Sequence, residues 1–146
     1  MNYYYHNHTI HYPDHFIIYN EKEEESYTIE AKLSWGHFIE IKQNNRLLYT
    51  LSDNLSSYLP KFTIKEDDKV LGSVSQIFSF GKTQYDFNYL GYYIKGDFLS
   101  NRYSIMYQGH VIGDYSIKHN FVCIQTDSNK VIAFIIALEA FKSLIR

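Results

Sequence analysis

Val131-Ile132-Ala133-Phe134-Ile135-Ile136-Ala137-Leu138 is an unbroken run of eight apolar residues, and its reading decides the fold. Just before it, Asp127-Ser128-Asn129 offers N-cap chemistry: such side chains accept from the backbone N–H groups that a helix start leaves unpaired. From Val131 to Ile145, twelve of fifteen positions are apolar, the exceptions being Glu139, Lys142 and Ser143. Together with Arg146 these stand at i, i+3, i+4 and i+7, one face of a helix. Val131, Ile132, Ile135 and Ile136 are β-branched and would suit a buried strand. Ala133, Ala137, Leu138, Ala140 and the polar stripe decide for a helix over 130–146. Its first two turns have no polar side and must be covered all round. Fifteen residues reach only about 22 Å at 1.5 Å per residue, short of the ~30 Å hydrocarbon thickness of a bilayer. The cover is therefore expected from the chain's own strands, with a membrane hairpin or an oligomer interface as the alternatives.

Upstream, period-2 segments alternate with polar turns. His15-Phe16-Ile17-Ile18-Tyr19 reads as a strand, and the block Glu21-Lys22-Glu23-Glu24-Glu25 as a solvated turn. Tyr27, Ile29 and Ala31 alternate with Thr28, Glu30 and Lys32, the pattern of a half-buried strand. Further strands are expected over Phe38–Lys42, Arg46–Leu51, Phe62–Lys65, Lys69–Val74, Gln84–Asn88, Tyr92–Lys95, Tyr103–Met106, His110–Tyr115 and Phe121–Gln125. Phe62, Ile64, Val70, Leu71 and Gly72 recur as Tyr103, Ile105, Val111, Ile112 and Gly113 at a constant offset of 41. Ile39, Ile41, Leu47 and Leu48 precede Phe62, Ile64, Val70 and Leu71 by 23. One hairpin type is thus used at least three times. The spacing is too irregular for a solenoid, and turn signals at about 8–12-residue intervals suggest a sandwich or barrel. With no linker-like segment, residues 1–146 read as a single domain.

Composition supports strands. The 146 residues include 15 Tyr and 10 Phe, and aromatic side chains suit pleated, half-buried surfaces. Apolar residues make up 45% of the chain, enough for a core without disulfides or metals. A net charge of −2 gives no whole-domain attraction to nucleic acid or to an anionic membrane, so any electrostatic site must be a local patch. Cys123 is the single cysteine, which excludes an internal disulfide. The opening MNYYYHNHTIHYPDH has no basic region followed by an apolar run and does not read as a secretory signal. Its first eleven residues read as a frayed polar terminus, and a cytoplasmic location, with peripheral membrane association left open, is expected.

Repeated hairpins followed by an all-apolar terminal helix resemble the tubby C-terminal fold and, within it, the bacterial LURP-one-related branch, which is also similar to phospholipid scramblases. Four segments carry the resemblance: Tyr27-Thr28-Ile29-Glu30-Ala31-Lys32-Leu33, Leu59-Pro60-Lys61-Phe62-Thr63-Ile64, Tyr92-Tyr93-Ile94-Lys95-Gly96-Asp97-Phe98, and the helix from Val131 to Leu138. The last strand departs from the family pattern: Phe121-Val122-Cys123-Ile124 stands where Tyr-x-Ile-x-Ile is usual, which leaves its register open. The resemblance implies a mainly β fold, a closed antiparallel barrel of about twelve strands around the hydrophobic C-terminal helix. It implies no agreed activity. Tubby proteins bind phosphoinositide headgroups in a basic pocket, but those residues find no counterparts here, position by position.

The residues themselves offer few chemical candidates. Strand parity places Lys61 and Lys65 opposite Phe62 and Ile64, Lys95 opposite Ile94, and Arg102 opposite Tyr103 and Ile105. If those strands neighbour one another, the four cations form an anion patch. Ordinary solvated surface is the competing reading, because Glu66, Asp67, Asp68 and Asp97 dilute the charge. Gly81-Lys82-Thr83 lacks the earlier glycine and following helix of a phosphate-binding loop. His6, His8, His11 and His15 have no companion ligands at zinc spacing, and Glu66-Asp67-Asp68 lacks the ligand ladder of a calcium loop. Cys123 alternates with apolar neighbours and reads as a core residue rather than a nucleophile. No catalytic motif is present. The expectation is a non-enzymatic binding module without a cofactor. Its partner is either a phospholipid or membrane surface or another protein, and its oligomeric state is open.

Overall fold

The computed structural model describes residues 1–53 and 59–145, so Arg146 of the polar stripe lies outside the described residues. The elements are β1 (Asn2–His6), β2 (Asp14–Asn20), β3 (Glu25–Leu33), β4 (His37–Gln43), β5 (Arg46–Ser52), β6 (Lys61–Glu66), β7 (Lys69–Ser79), β8 (Lys82–Tyr89), β9 (Tyr93–Gly96), β10 (Arg102–Tyr107), β11 (His110–Lys118), β12 (Phe121–Thr126) and α1 (Asn129–Ile145). All twelve strands join one antiparallel sheet in the order β8-β7-β6-β5-β4-β3-β2-β1-β12-β11-β10-β9, curled into a nearly closed barrel around α1. Both the mainly β class and the central helix agree with the sequence reading.

The N-terminus corrects that reading. Far from fraying, β1 is an interior strand, paired with β12 on one side and β2 on the other. Alternation drives it inward: Tyr5 is buried, Tyr3 packs edge-on against the buried Tyr27 at 5.5 Å, and Tyr4 and His6 face outward. The pairing also fixes the open register of the last strand, with Val122, Ile124 and Thr126 buried and Cys123 on the outer side.

The threefold hairpin is reproduced down to its irregularities. Register shifts fall between Ile41 and Lys42 in β4, Ile64 and Lys65 in β6, and Ile105 and Met106 in β10, equivalent positions of the three repeats. Each such bulge sharpens the strand's bend, which curls a flat meander into a barrel. Asn44-Asn45 and Gln108-Gly109 both hold two successive residues at positive φ, as tight hairpin turns require.

Every residue from Val131 to Leu138 is fully buried, as are Ala140 and Phe141. Phe134 is stacked on Tyr89 at 5.1 Å with an interplanar angle of 2° and meets Phe87 and Tyr92 edge-on. At the helix start the Ser128 carbonyl accepts from Val131 and Ile132, and its Oγ accepts from the Lys130 N–H at 3.2 Å. Ser128 is therefore the N-cap. Tyr49 Oη donates to Asn129 Oδ1 at 2.6 Å, and Tyr89 Oη to the Lys130 carbonyl at 2.9 Å.

The polar stripe turns out to be internal at its start. Lys142 is 6% exposed and its Nζ lies 2.6 Å from Glu139 Oε2. Tyr115 and Tyr103 donate to the two oxygens of Glu139 at 2.6 and 3.1 Å, and Lys142 Nζ sits 4.9 and 5.1 Å from the centroids of those stacked rings. Two phenol donors and one ammonium thus satisfy a carboxylate that burial would otherwise heavily penalise. Burial and the Glu139 charge together push the Tyr103 and Tyr5 hydroxyls well above the ordinary phenol pKa.

Phe134→Ala should lower unfolding stability by about 3–5 kcal/mol in a denaturant titration. A Cβ at Gly72 would collide with the Asn88 carbonyl in the neighbouring strand, so Gly72→Ala should also destabilise, whereas Gly81→Ala meets no atom and acts only through its positive φ. The folded state also holds the protons of Tyr5 and Tyr103 to higher pH than the unfolded chain does. Their contribution to stability should be fully present below about pH 10, the unfolded phenol value, and be lost progressively above it. Melting temperatures measured across that range check the sign, and a rise above that point would contradict it.

An aromatic cleft beside a basic groove: the candidate functional site

β1 pairs with β12 along all five of its residues but with β2 only at Tyr3 opposite Asn20 and Tyr4 opposite Tyr19. Beyond Tyr4 the two strands part, because the connecting segment 7–13 dips inward to bury Ile10. The opening is a cleft of about 870 Å³ whose walls include Tyr4, Phe16, Tyr19, Phe121, His6 and His15. That volume is in the range of small-molecule sites, which are mostly apolar with a few fixed polar groups. Here the polar groups held in place include His8, Asp14 and Glu21, whose Oε1 accepts from the Asn2 N–H at 3.2 Å, and Glu23 also lines the opening. His8 Nε2 lies 2.9 Å from Asp14 Oδ2, its Nδ1 lies 2.8 Å from the His6 carbonyl, and its ring meets Phe16 edge-on at 4.7 Å. Asp14, largely buried, also accepts from the His11 backbone N–H at 3.3 Å.

A second concavity of about 350 Å³ adjoins the first, and Tyr4 lines both. Register explains its make-up. Arg102 stands opposite Ser116, Ser116 opposite Cys123, and Cys123 opposite Tyr4, one row across β10, β11, β12 and β1. The next row places Lys118 opposite Phe121 and Phe121 opposite His6. Lys95 stands opposite Ser104 in β10, one step along from Arg102 on the same outer face. Lys95, Arg102 and Lys118 are all exposed. Among the described residues no carboxylate lies within 4 Å of any of their charged nitrogens. Asp114, the acid of this groove, is engaged by Ser104 Oγ at 2.6 Å.

Of the four cations expected to converge, the barrel brings together two. Lys95 and Arg102 lie on paired strands, whereas Lys61 and Lys65 lie on β6, separated from β9 by β7, β8 and the open seam. The expected four-cation patch is therefore not formed. Lys118 takes the place of the missing pair; the sequence reading ended that strand at Tyr115, although the alternation of Tyr115 and Ile117 with Ser116 and Lys118 continues it. Cys123 also departs from expectation, since it forms part of the groove wall rather than the core. Partial burial pushes its thiol up while Lys118 pulls the other way.

The sequence from residue 1 to 137, which holds every strand of this site, matches the family model described as LURP-one-related. The chain belongs to the LURP-one-related family. This LURP-one-related barrel is similar to a crystal structure of an Arabidopsis thaliana protein, with a TM-score of 0.66 at 10% identity over 97% of this chain and 90% of that one. At that identity the likeness concerns the fold alone. No curated protein matches the sequence. Among the described residues, no helix is long and apolar enough to cross a membrane.

The groove can be probed through its thiol. Cys123 should react with a disulfide reagent at pH 8 more slowly than a free cysteine, since only the thiolate attacks. Lys118→Ala removes the cation that favours the thiolate and should slow the reaction further. An unchanged or faster rate in that variant would contradict the placement of Lys118 beside the thiol.

Proposed function

We propose that this LURP-one-related domain is a non-enzymatic binding module for an anionic amphiphile, the phospholipids of a membrane surface being the natural class. The carrying observation is the junction at Tyr4 of an aromatic cleft with a groove bearing Arg102 and Lys118, with Lys95 alongside. A phosphate-bearing head would sit against the two cations, and the adjoining cleft would take apolar chain between Phe16, Tyr19 and Phe121. Neither part alone has this chemistry. Cations on a barrel wall would serve any anion, and an aromatic cleft would serve any apolar body.

The resemblance to tubby domains and scramblases favours the same ligand class. A cytoplasmic site of action fits a protein meeting the anionic inner leaflet, where each basic residue near the surface contributes about 1 kcal/mol. No step of bond chemistry is needed: the thiol of Cys123 is held up rather than activated, and His8 and Asp14 satisfy each other at the cleft floor.

Flotation with vesicles of phosphatidylcholine, with and without phosphatidylserine, tests this reading. Binding should require the anionic lipid and weaken with added salt, because exposed charges are screened. The double variant Arg102→Ala/Lys118→Ala should bind about tenfold or more weakly, at roughly 1 kcal/mol per cation, while Lys61→Ala/Lys65→Ala should bind nearly as the parent does. No binding at low salt, or equal loss in the two double variants, would contradict the proposal.

A further inference from the structure

The barrel has one seam. β8 and β9 are the ends of the sheet order, and among the described residues no ladder joins them. Aromatic rings bridge it instead: Phe98 meets Phe87 at 5.0 Å and Tyr85 at 5.2 Å, and Tyr89 meets Tyr92 at 5.3 Å. The two edges are unlike. β9 is four residues long and ends at Gly96, a short edge of the sort that resists further pairing. β8 has eight residues, no proline, and an exposed run from Lys82 to Asp86. It belongs to the longest hairpin of the sheet, whose tip carries Phe78 at 68% and Phe80 at 97% exposure. A long, exposed, unpaired edge beside bare aromatic rings is the arrangement that natural sheets normally avoid unless it has a partner.

From this edge we infer that the partner is a second copy of the same chain, joined through antiparallel pairing of β8 with β8 about a twofold axis at Gln84. The edge is self-complementary at that register. Residue 84 faces its own copy, Lys82 faces Asp86, and Asp86 faces Lys82. All three share the outer face of the strand, since the intervening Phe87 and Tyr89 point inward. Moving the axis to residue 82 or 86 would set like charges opposite each other, and moving it to 83 or 85 leaves both charges opposite neutral residues. Cross-strand pairs of opposite charge stabilise a ladder and like charges destabilise it, so the charge pattern selects Gln84 as the centre. The same register lays each Phe80 tip alongside the far end of the other chain's β8, near Asn88, and covers rings that the single barrel leaves in water. This inference is independent of the lipid reading, because β8 contributes nothing to the cleft or the groove.

Sedimentation of the full chain over a concentration series tests it. The parent should form a concentration-dependent dimer. Asp86→Lys and Lys82→Asp each turn two attractive pairs into repulsive ones and should weaken association by about tenfold or more. The double variant Lys82→Asp/Asp86→Lys restores opposite charges and should regain most of the parent's affinity. Circular dichroism on the same samples confirms that each variant keeps its fold. A parent that stays monomeric at all concentrations, a dimer indifferent to Asp86→Lys, or a double variant no better than the singles would each overturn the proposal.

Discussion

A helix with no polar side has to be enclosed, and that requirement organises this molecule. From Val131 to Leu138 the chain offers water nothing but apolar surface. Each of these side chains gains about 25 cal/mol per Å² when covered, and only a wall on all sides can supply that cover. Eleven ladders between twelve short strands build the wall. Its inward row is unusually rich in aromatic residues, because a barrel around a helix needs large side chains to bridge from backbone to backbone. Tyr serves better than Phe wherever a helix end must be reached. Tyr49 and Tyr89 at the start of α1, and Tyr103 and Tyr115 near its end, carry hydroxyls to polar groups that the enclosure would otherwise leave unsatisfied.

The candidate site is a by-product of how the wall closes. β1 is a short strand fitted between β2 and β12, fully laddered to one and barely to the other. The gap on its weak side is the aromatic cleft, while its strong side brings Tyr4 into register with Cys123, Ser116 and Arg102. The other discontinuity, between β8 and β9, is filled by rings instead of hydrogen bonds and leaves one strand edge bare. The aromatic cleft and the bare edge thus both occur where the ladder is incomplete, whereas the basic groove lies on the fully laddered strands beside the cleft.

The parts of this architecture written in local periodicity were legible in the sequence. The helix and eleven of the strands follow from local spacing, and the threefold hairpin from recurrence at offsets of 23 and 41. β1 was missed because three successive tyrosines, Tyr3 to Tyr5, show no apolar–polar alternation, and because its pairing with β12 spans nearly the whole chain. That long-range pairing also creates the cleft, which is why the cleft had no signature. Among the four expected cations, parity correctly put each on the outer face, but neighbourhood depends on strand order, which parity does not contain. Glu139 and Lys142 were legible only as one polar face of a helix; their burial depends on Tyr103 and Tyr115 from strands far away in sequence.

Amide hydrogen exchange measured residue by residue tests the enclosure most directly. If the wall truly surrounds the helix, the amides of Val131 to Phe141 open only when the whole domain unfolds, and they should be among the slowest in the protein, with a free energy equal to global stability. Exchange of those amides ahead of the strands β3 to β6 would mean that the helix leaves its place while the barrel persists, and would contradict the account.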